Sequence, residues 1–246
     1  MLHKTKGIVL KTVKYGETSL VVTIFTELFG LQSYLVNGVR TATKKGGTPK
    51  AALFQPASLL ELVAYHNEMK NLQRLKEFRW DFLYHKIFSD VRKNAVALFM
   101  IELLGRCLKQ PEPHPELFHF AEDALLHLDA ADDTVTANFP LYFALHLPVF
   151  FGFRISNEAT QPEFLDLQEG RFTDVQPSHH HYLAGREAEA VSEVLKVMRP
   201  EELSHLVLNQ EIRRRVLHAI EIYYAFHIAD FGTLKTLPVL REIMNA

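Results

Sequence analysis

The sequence predicts an α+β protein of two domains: a five-stranded antiparallel barrel, then an all-helical domain with a small inserted β-hairpin. Three observations predict this class. Apolar residues alternate with polar ones in five short runs before residue 80, and they recur every three to four positions after it. Hydrophobic residues make up 48% of the 246 positions, which is enough for a core in each domain. The change of period near Trp80 predicts domains of residues 1–80 and 81–246.

The five alternating runs are separated by turn residues such as Gly30 and the Gly46-Gly47 pair. The runs are 7–15, 19–27, 31–39, 58–65 and 72–80. No helical period interrupts them, so a closed barrel is favoured, because closure leaves no exposed strand edge. An oligonucleotide-binding (OB) barrel is the commonest fold of soluble five-stranded barrels of this size. The number of strands alone does not distinguish it from an SH3-like barrel.

The spacing after Trp80 predicts a series of helices. They are 82–109, 116–130, 138–152, 186–199, 209–231 and a short one near 237–245. The most apolar stretch, 139–153, contains two prolines and is shorter than the ~20 residues that span a bilayer, so we interpret it as a buried helix with a proline break. Two short apolar runs flank Glu169 and Gly170, which predicts the inserted hairpin at about 156–177.

Charge is distributed unevenly along the chain. The net charge is −2, yet residues 1–80 carry +7 and residues 81–246 carry −9. A basic first domain indicates a polyanionic partner, either nucleic acid or a membrane surface. The single cysteine, Cys107, excludes an intramolecular disulfide and a multi-cysteine metal site, and it fits a reducing compartment. We therefore expect a cytoplasmic protein. Of the two kinds of partner, we expect nucleic acid and not a membrane.

Catalytic and metal-binding motifs are missing from the sequence. It contains no phosphate-binding GxxxxGK[ST] loop, no GxSxG and no HExxH. The His179-His180-His181 run could not serve one tetrahedral zinc without an unusual backbone, because adjacent side chains diverge, and we interpret it as a polar turn. We expect no catalytic residue, no metal and no cofactor. An enzyme with an undetected site near the histidines of the helical domain is the weaker alternative.

Cations with interleaved aromatics are the strongest functional signal. Cations follow a phosphate backbone and exposed aromatic rings stack on bases, so this combination favours binding of single-stranded nucleic acid. The candidate DNA-binding residues are Lys11, Lys14, Arg40, Lys44, Lys45, Lys50, Arg74 and Lys76. We expect strands one, four and five, with the loop between strands three and four, to form one continuous face. The alternative is structural, because lysines protect strand edges and aromatics fill barrels.

A second basic group lies in the helical domain. Arg213, Arg214 and Arg215 follow one another in a predicted helix, so at most two of them can face one ligand. They belong either to a solvated helix face or to a docking point for an acidic peptide or a partner protein.

The chain as a whole resembles the bacterial recombination mediator family RecO. The resemblance is close at residues 6–62 and looser beyond. It rests on Gly7-Ile8-Val9-Leu10, Tyr15-Gly16-Glu17, Thr23, Phe25-Thr26, Gly30, Gly38, Arg40 and Gln55-Pro56. The resemblance implies a non-enzymatic DNA-repair protein, associated with the nucleoid, whose OB barrel binds single- and double-stranded DNA. A protein-interaction scaffold, whose barrel binds a protein instead of DNA, is the alternative.

The resemblance also implies partners and one departure. Family members anneal complementary strands and assist recombinase loading onto strands coated by single-strand-binding protein. They act with RecR and contact the acidic, aromatic-ended tail of single-strand-binding protein. The candidate residues for that contact are Arg106, Lys109, Arg213, Arg214 and Arg215. Many members have a four-cysteine zinc site in the hairpin, whereas this hairpin has no cysteine. We expect apolar packing of Phe164, Leu165, Leu167 and Phe172 to replace the metal.

Overall fold

The computed structural model describes residues 1–40, 50–156 and 163–244. The chain divides into two compact units, and each consists of two segments. The first contains Met1–Tyr84 and Leu108–Leu125, and the second contains His85–Cys107 and Leu126–Ala246.

Five strands of the first unit form a closed barrel. They are β1 (Leu2–Tyr15), β2 (Ser19–Thr26), β3 (Gly30–Val36), β4 (Leu59–Tyr65) and β5 (Gln73–Phe82). The order around the barrel is β1-β2-β3-β5-β4, and β1 is long enough to pair with both β2 and β4. The contact between β3 and β5 is parallel, whereas all the others are antiparallel. This order is that of the OB fold and not of an SH3-like barrel, so the predicted fold class is confirmed.

The barrel interior explains the alternation in the sequence. Side chains such as Val22 and Leu62 are completely buried, while their chain neighbours project outward and are partly exposed. A 3₁₀ helix (Lys50–Phe54) precedes β4, and its Phe54 joins this core and packs on Phe78 with ring centroids 4.8 Å apart. The part of the β3–β4 connection that leads into β4 is therefore anchored in the barrel core.

The turn between β2 and β3 requires glycine at position 30. Gly30 has φ +61°, and a Cβ there would lie 2.0 Å from the backbone oxygen of Glu112 in the same unit. Any side chain would meet both a left-handed backbone and a steric clash.

The helices confirm most of the predicted positions. They are α1 (Val91–Cys107), α2 (Pro115–Ala130), α3 (Asp133–His146), α4 (Gly185–Leu195), α5 (Gln210–His227) and α6 (Thr236–Ile243), with 3₁₀ helices at Leu147–Phe151 and Pro200–His205. Helix α3 contains Pro140 and gives way to a 3₁₀ helix where Pro148 follows. Residues 133–151 are long and apolar enough to cross a membrane, yet 67% of their most apolar window is buried within the protein, as in a core helix.

The first predicted helix begins later than expected. Strand β5 continues to Phe82, and residues 83–90 form turns. The reason lies far away in the chain: the buried carboxylate of Asp129 accepts the backbone N–H groups of His85, Lys86 and Ile87 at 2.8, 2.8 and 2.9 Å. Asp90 then caps α1 by accepting the N–H groups of its first turn.

The predicted hairpin is confirmed and gains a third strand. Strands β6 (Phe164–Asp166) and β7 (Arg171–Thr173) form the hairpin, and β8 (Tyr182–Ala184) pairs with the other edge of β6. The side chains of Leu165, Leu167 and Phe172 are buried. Phe164 is half-buried and contacts Tyr182 edge to face. The histidine run lies in the turn before β8.

Candidate nucleic-acid interface

The outer surface of β1, β2, β3 and β5, together with the last residue of β4, forms one candidate interface, which we call the strand face. Paired residues of neighbouring strands project to the same side, so the register places side chains in rows. One row is Tyr65, Arg74, Leu35, Val21 and Val13. The adjacent row is Lys11, Thr23 and Ser33. These eight residues include two cations and no carboxylate, and OB folds bind oligonucleotides through the face of strands two and three.

The strand face combines apolar surface with unneutralised charge. Val13 is 49% exposed and Tyr65 is 51% exposed, so both offer apolar surface to a ligand. Neither Lys11 nor Arg74 has an ion-pair partner among the described residues. The surface can therefore contact bases and phosphates together.

A cleft of about 1010 Å³ adjoins the strand face at the β4–β5 loop, and we call it the loop cleft. Phe29 and His66 stack in its wall with ring centroids 4.0 Å apart, and His3 meets Phe29 edge-on at 5.2 Å. Burial lowers the pKa of His66, whose Nδ1 has no hydrogen-bond partner within the described ranges. Tyr65 and Arg74 of the strand face also line this cleft.

A second cleft, of about 780 Å³, lies on the outer side of β4 and β5, and we call it the β4–β5 cleft. It brings together two of the predicted residues, Lys50 and Lys76. Its other cations are already paired: Glu61 accepts from Arg79 Nε at 2.8 Å and lies 3.4 Å from Lys4 Nζ.

The charges of the β4–β5 cleft differ in availability. The hydrogen bond from Arg79 outweighs burial and lowers the pKa of the Glu61 carboxyl. Lys76 lies 3.6 Å from Glu77, while Lys50 has no carboxylate partner among the described residues. Lys50 is therefore the cation of this cleft most available to a phosphate.

The other predicted cations of the barrel lie at its ends or outside the described ranges. Arg40 Nη1 donates to the carbonyl of Gly16 at 3.0 Å, and its backbone N–H donates to Thr18, so it ties the β3–β4 connection to the β1–β2 turn. Lys14 is exposed near the end of β1. Lys44 and Lys45 lie outside the described residues.

The cations predicted to lie on one continuous face lie on two neighbouring surfaces of the barrel. Strands β1, β4 and β5 are adjacent, as expected. Lys11 and Arg74 lie on the strand face, whereas Lys50 and Lys76 line the β4–β5 cleft. The two surfaces come together on β5, where one residue separates Arg74 from Lys76. That these residues contact DNA stays a prediction.

The basic residues predicted for partner binding are mostly engaged within the second unit. Arg106 donates to the carbonyls of Phe231 and Thr233 at 3.1 and 3.0 Å. Arg213 is half-buried and donates to the carbonyl of Leu208. Lys109, which belongs to the first unit, is exposed.

The next two arginines of the triplet share one carboxylate. Arg214 and Arg215 both donate to Glu211 at 2.8 Å, and Arg215 also donates to Glu187 at 3.1 Å. These hydrogen bonds, from Arg214 first, lower the pKa of Glu211 to about 2. Carboxylates therefore neutralise the charges of Arg214 and Arg215.

A small apolar pocket of the second unit contains a residue that sequence reasoning missed. Pro140, Leu217 and Leu240 line it, together with Arg213 and Arg214 at its edge. Arg241 also lines it, and two nitrogens of its guanidinium group, Nε and Nη2, are buried without a hydrogen-bond partner in the described part of the chain. The available signal was a lone arginine among apolar residues of a short helix, "LPVLREIM".

Within the described ranges, no group of three or more histidine, cysteine or acidic side chains could hold a metal ion. His179 Nε2 lies 3.2 Å from Asp166 Oδ2, and its ring is 6.1 Å from that of His181. Asp166 Oδ1 also accepts two backbone N–H groups of the β6–β7 turn, from Gln168 and Glu169. These contacts are those of a polar turn.

Comparison with known proteins agrees with this architecture. Residues 1–81 match the family model "Recombination protein O N terminal", and residues 89–237 match "Recombination protein O C terminal". Among curated proteins, the chain is 36% identical to "DNA repair protein RecO" of Bacteroides fragilis and 32% identical to that of Phocaeicola vulgatus. It is 31% identical to that of Flavobacterium johnsoniae. Each match covers 100% of both chains. Because two family models match most of its length, this chain belongs to the RecO family.

Proposed function

We propose that this protein is a non-enzymatic recombination mediator that binds single- and double-stranded DNA, anneals complementary strands and assists recombinase loading onto strands coated by single-strand-binding protein. Membership of the RecO family supports a role in DNA repair and recombination. The proposed place of action is the cytoplasm, at the nucleoid, where the chromosomal DNA lies.

The strand face is the observation that carries the proposal. Lys11 and Arg74 have no carboxylate partner in the described part of the chain, so a phosphate that binds them need not displace an ion pair seen there. The apolar side chains between them, Leu35, Val21 and Val13, offer bases a surface to leave water. Cation and apolar contacts together are the physical basis of sequence-independent strand binding.

Annealing by this surface requires no bond chemistry. Two complementary strands repel each other through their phosphates, and cations on the protein neutralise part of that charge. A second supply of cations, at Lys50 and Lys76 of the β4–β5 cleft, lies close to the strand face along β5. Two strands held on one barrel would meet at a higher local concentration than in solution.

The proposed site for recruitment of single-strand-binding protein is the apolar pocket of the second unit. An acidic tail that ends in an aromatic residue needs an apolar recess and a cation for its carboxylate. Leu217, Leu240 and Arg241 line the pocket. It holds about 30 Å³, and Nε and Nη2 of Arg241 are buried, so it has to widen to admit the ring and to expose the cation. Binding to RecR is proposed on family membership alone.

We propose further that the inserted sheet is stable without zinc. Its interior is filled by Leu165, Leu167 and Phe172, which are 1%, 3% and 5% exposed. Apolar burial of this kind supplies the cohesion that a metal would otherwise provide. Stoichiometric zinc in the purified protein would contradict this part of the proposal.

A titration of fluorescent oligonucleotides, single-stranded and duplex, tests the main proposal. The wild type is expected to bind both forms and to accelerate annealing, with and without single-strand-binding protein. The variant Lys11→Ala/Arg74→Ala should lose affinity for all base sequences alike. If the variant binds DNA as the wild type does but no longer binds RecR, the barrel is a protein-docking module and the scaffold alternative holds.

A further inference from the structure

We propose that the loop cleft holds one unpaired nucleobase, stacked on the ring of Tyr65, with its phosphate on Arg74 and Lys70, and that this contact makes the barrel prefer single strands. The inference rests on the proposed function and specifies which form of DNA the barrel prefers.

Tyr65 is placed to stack on a ligand and not on the protein. It is the last residue of β4, and its register partner across the sheet is Arg74 of β5, so both side chains project from the outer surface. The Tyr65 side chain is 51% exposed and forms no hydrogen bond or ring contact with any described residue. Its ring is therefore available for a base.

Other residues that line the loop cleft are aromatic and are held in place by contacts with one another. Phe29 and His66 stack with an interplanar angle of 12°, and His3 packs against the edge of Phe29. The N-terminal ammonium group donates to the carbonyl of His66 at 3.2 Å. A planar base inserted beside Tyr65 would meet a preformed wall, which reduces the ordering cost of binding.

The charge of the loop cleft favours a phosphate next to that base. Lys70 and Arg74 line the cleft and are exposed, and neither has an ion-pair partner among the described residues. Glu68 carries the one carboxylate among the described side chains that line the cleft. The N-terminal ammonium group of Met1, which also lines it, adds to the positive charge. An aromatic ring beside two cations matches the two parts of a nucleotide.

A duplex cannot use this cleft in the same way. Each base of a duplex is stacked on both faces and paired at its edge, so it reaches a side cleft only after unpairing. A duplex would therefore contact the barrel through phosphates alone. The base contact adds to the affinity of single strands and not to that of duplexes.

The test compares three variants with the wild type: Tyr65→Ala, Tyr65→Phe and the matched control Tyr15→Ala. Tyr15 is also an exposed tyrosine of the barrel, at 57%, but does not line the loop cleft. Affinities for a single strand and for a duplex of the same length are measured at one salt concentration. Thermal unfolding of each variant confirms that it folds.

Tyr65→Ala is expected to lower single-strand affinity about tenfold and to leave duplex affinity within about twofold, because stacking on one aromatic side chain carries an effect of this order. Tyr65→Phe should retain the wild-type affinities, and Tyr15→Ala should leave the ratio of single-strand to duplex affinity unchanged. A 2-aminopurine in the single strand should change its fluorescence on binding the wild type and not on binding Tyr65→Ala.

Three outcomes would overturn the inference: equal loss of both affinities in Tyr65→Ala, no loss in either, or the same change of ratio in Tyr15→Ala. Each of these outcomes requires a wild type that binds DNA. Failure of the wild type to bind either form would instead refute the proposed function, so the two failures are distinguishable.

Discussion

The salt dependence of DNA binding measures how many cations of the barrel exchange their counterions for phosphates. Four of the cations predicted from the sequence have neither an ion-pair partner nor a side-chain hydrogen bond among the described residues: Lys11, Lys14, Lys50 and Arg74. Each phosphate contact on a single strand contributes about 0.7 to the slope of log affinity against log salt, so these four predict a slope of about −2.8. A tenfold rise in salt should then weaken binding by roughly 600-fold.

Replacing two of these cations should halve the slope of log affinity against log salt. The variant Lys11→Ala/Arg74→Ala is expected to reduce the slope to about −1.4, or roughly 25-fold weaker binding per tenfold rise in salt. The assay is fluorescence anisotropy of a labelled single strand at several salt concentrations. Anisotropy reports equilibrium binding directly, so the slope can be compared between variants even when their absolute affinities differ.

Removal of a cation that is already paired provides the control in the same barrel. Arg79→Gln removes a guanidinium that Glu61 neutralises, with Arg79 Nε 2.8 Å from Glu61 Oε2, and leaves Glu61 paired with Lys4 at 3.4 Å. No unpaired cation is gained or lost, and we expect the slope to stay within about 0.3 of the wild type. A slope that is unchanged in Lys11→Ala/Arg74→Ala, or one that falls equally in both variants, would refute the assignment of phosphate contacts to the unpaired cations.

Further predictions concern stability. Asp129→Ala leaves three backbone N–H groups without an acceptor and should lower the free energy of unfolding by about 3 kcal/mol, measured by urea denaturation. Burial alone would raise the pKa of Asp129, but these donors outweigh it and lower the pKa. Its contribution to stability is therefore present at neutral pH and lost as the pH falls below about 4. Burial lowers the pKa of His146, so the unfolded chain binds its proton first and stability should decline below about pH 6.5. His146→Leu should flatten that decline, and an equally steep profile in the variant would contradict the assignment. Treatment with a chelator should leave the melting temperature unchanged; a drop would indicate a structural metal.

The sequence pattern predicted the secondary structure correctly in segments where one face is buried and the other is exposed. Alternation along β2 and β3 follows from one buried face, so strands and their order in the chain could be read from residues such as Val22 and Tyr34. The start of α1 could not, because the acceptor that holds residues 85–87 in a turn is Asp129, more than 40 positions away. Strand β8 was missed for a similar reason: its three residues have no periodicity, and pairing with β6 defines them.

Some properties of the candidate site could be predicted from the sequence, and others required the tertiary structure. Composition determined that the barrel is basic and that the helical domain is acidic, and the residues of the first strands sufficed to indicate the family. Only the tertiary structure decided which charges are available: Glu61 neutralises Arg79 across two strands, and Glu187 reaches Arg215 from another helix. It also placed Tyr65 beside Arg74, and it left two buried nitrogens of Arg241 without a hydrogen-bond partner among the described residues. The physical reason is that charge and periodicity are properties of a segment, whereas ion pairing and strand register depend on which distant segment lies opposite.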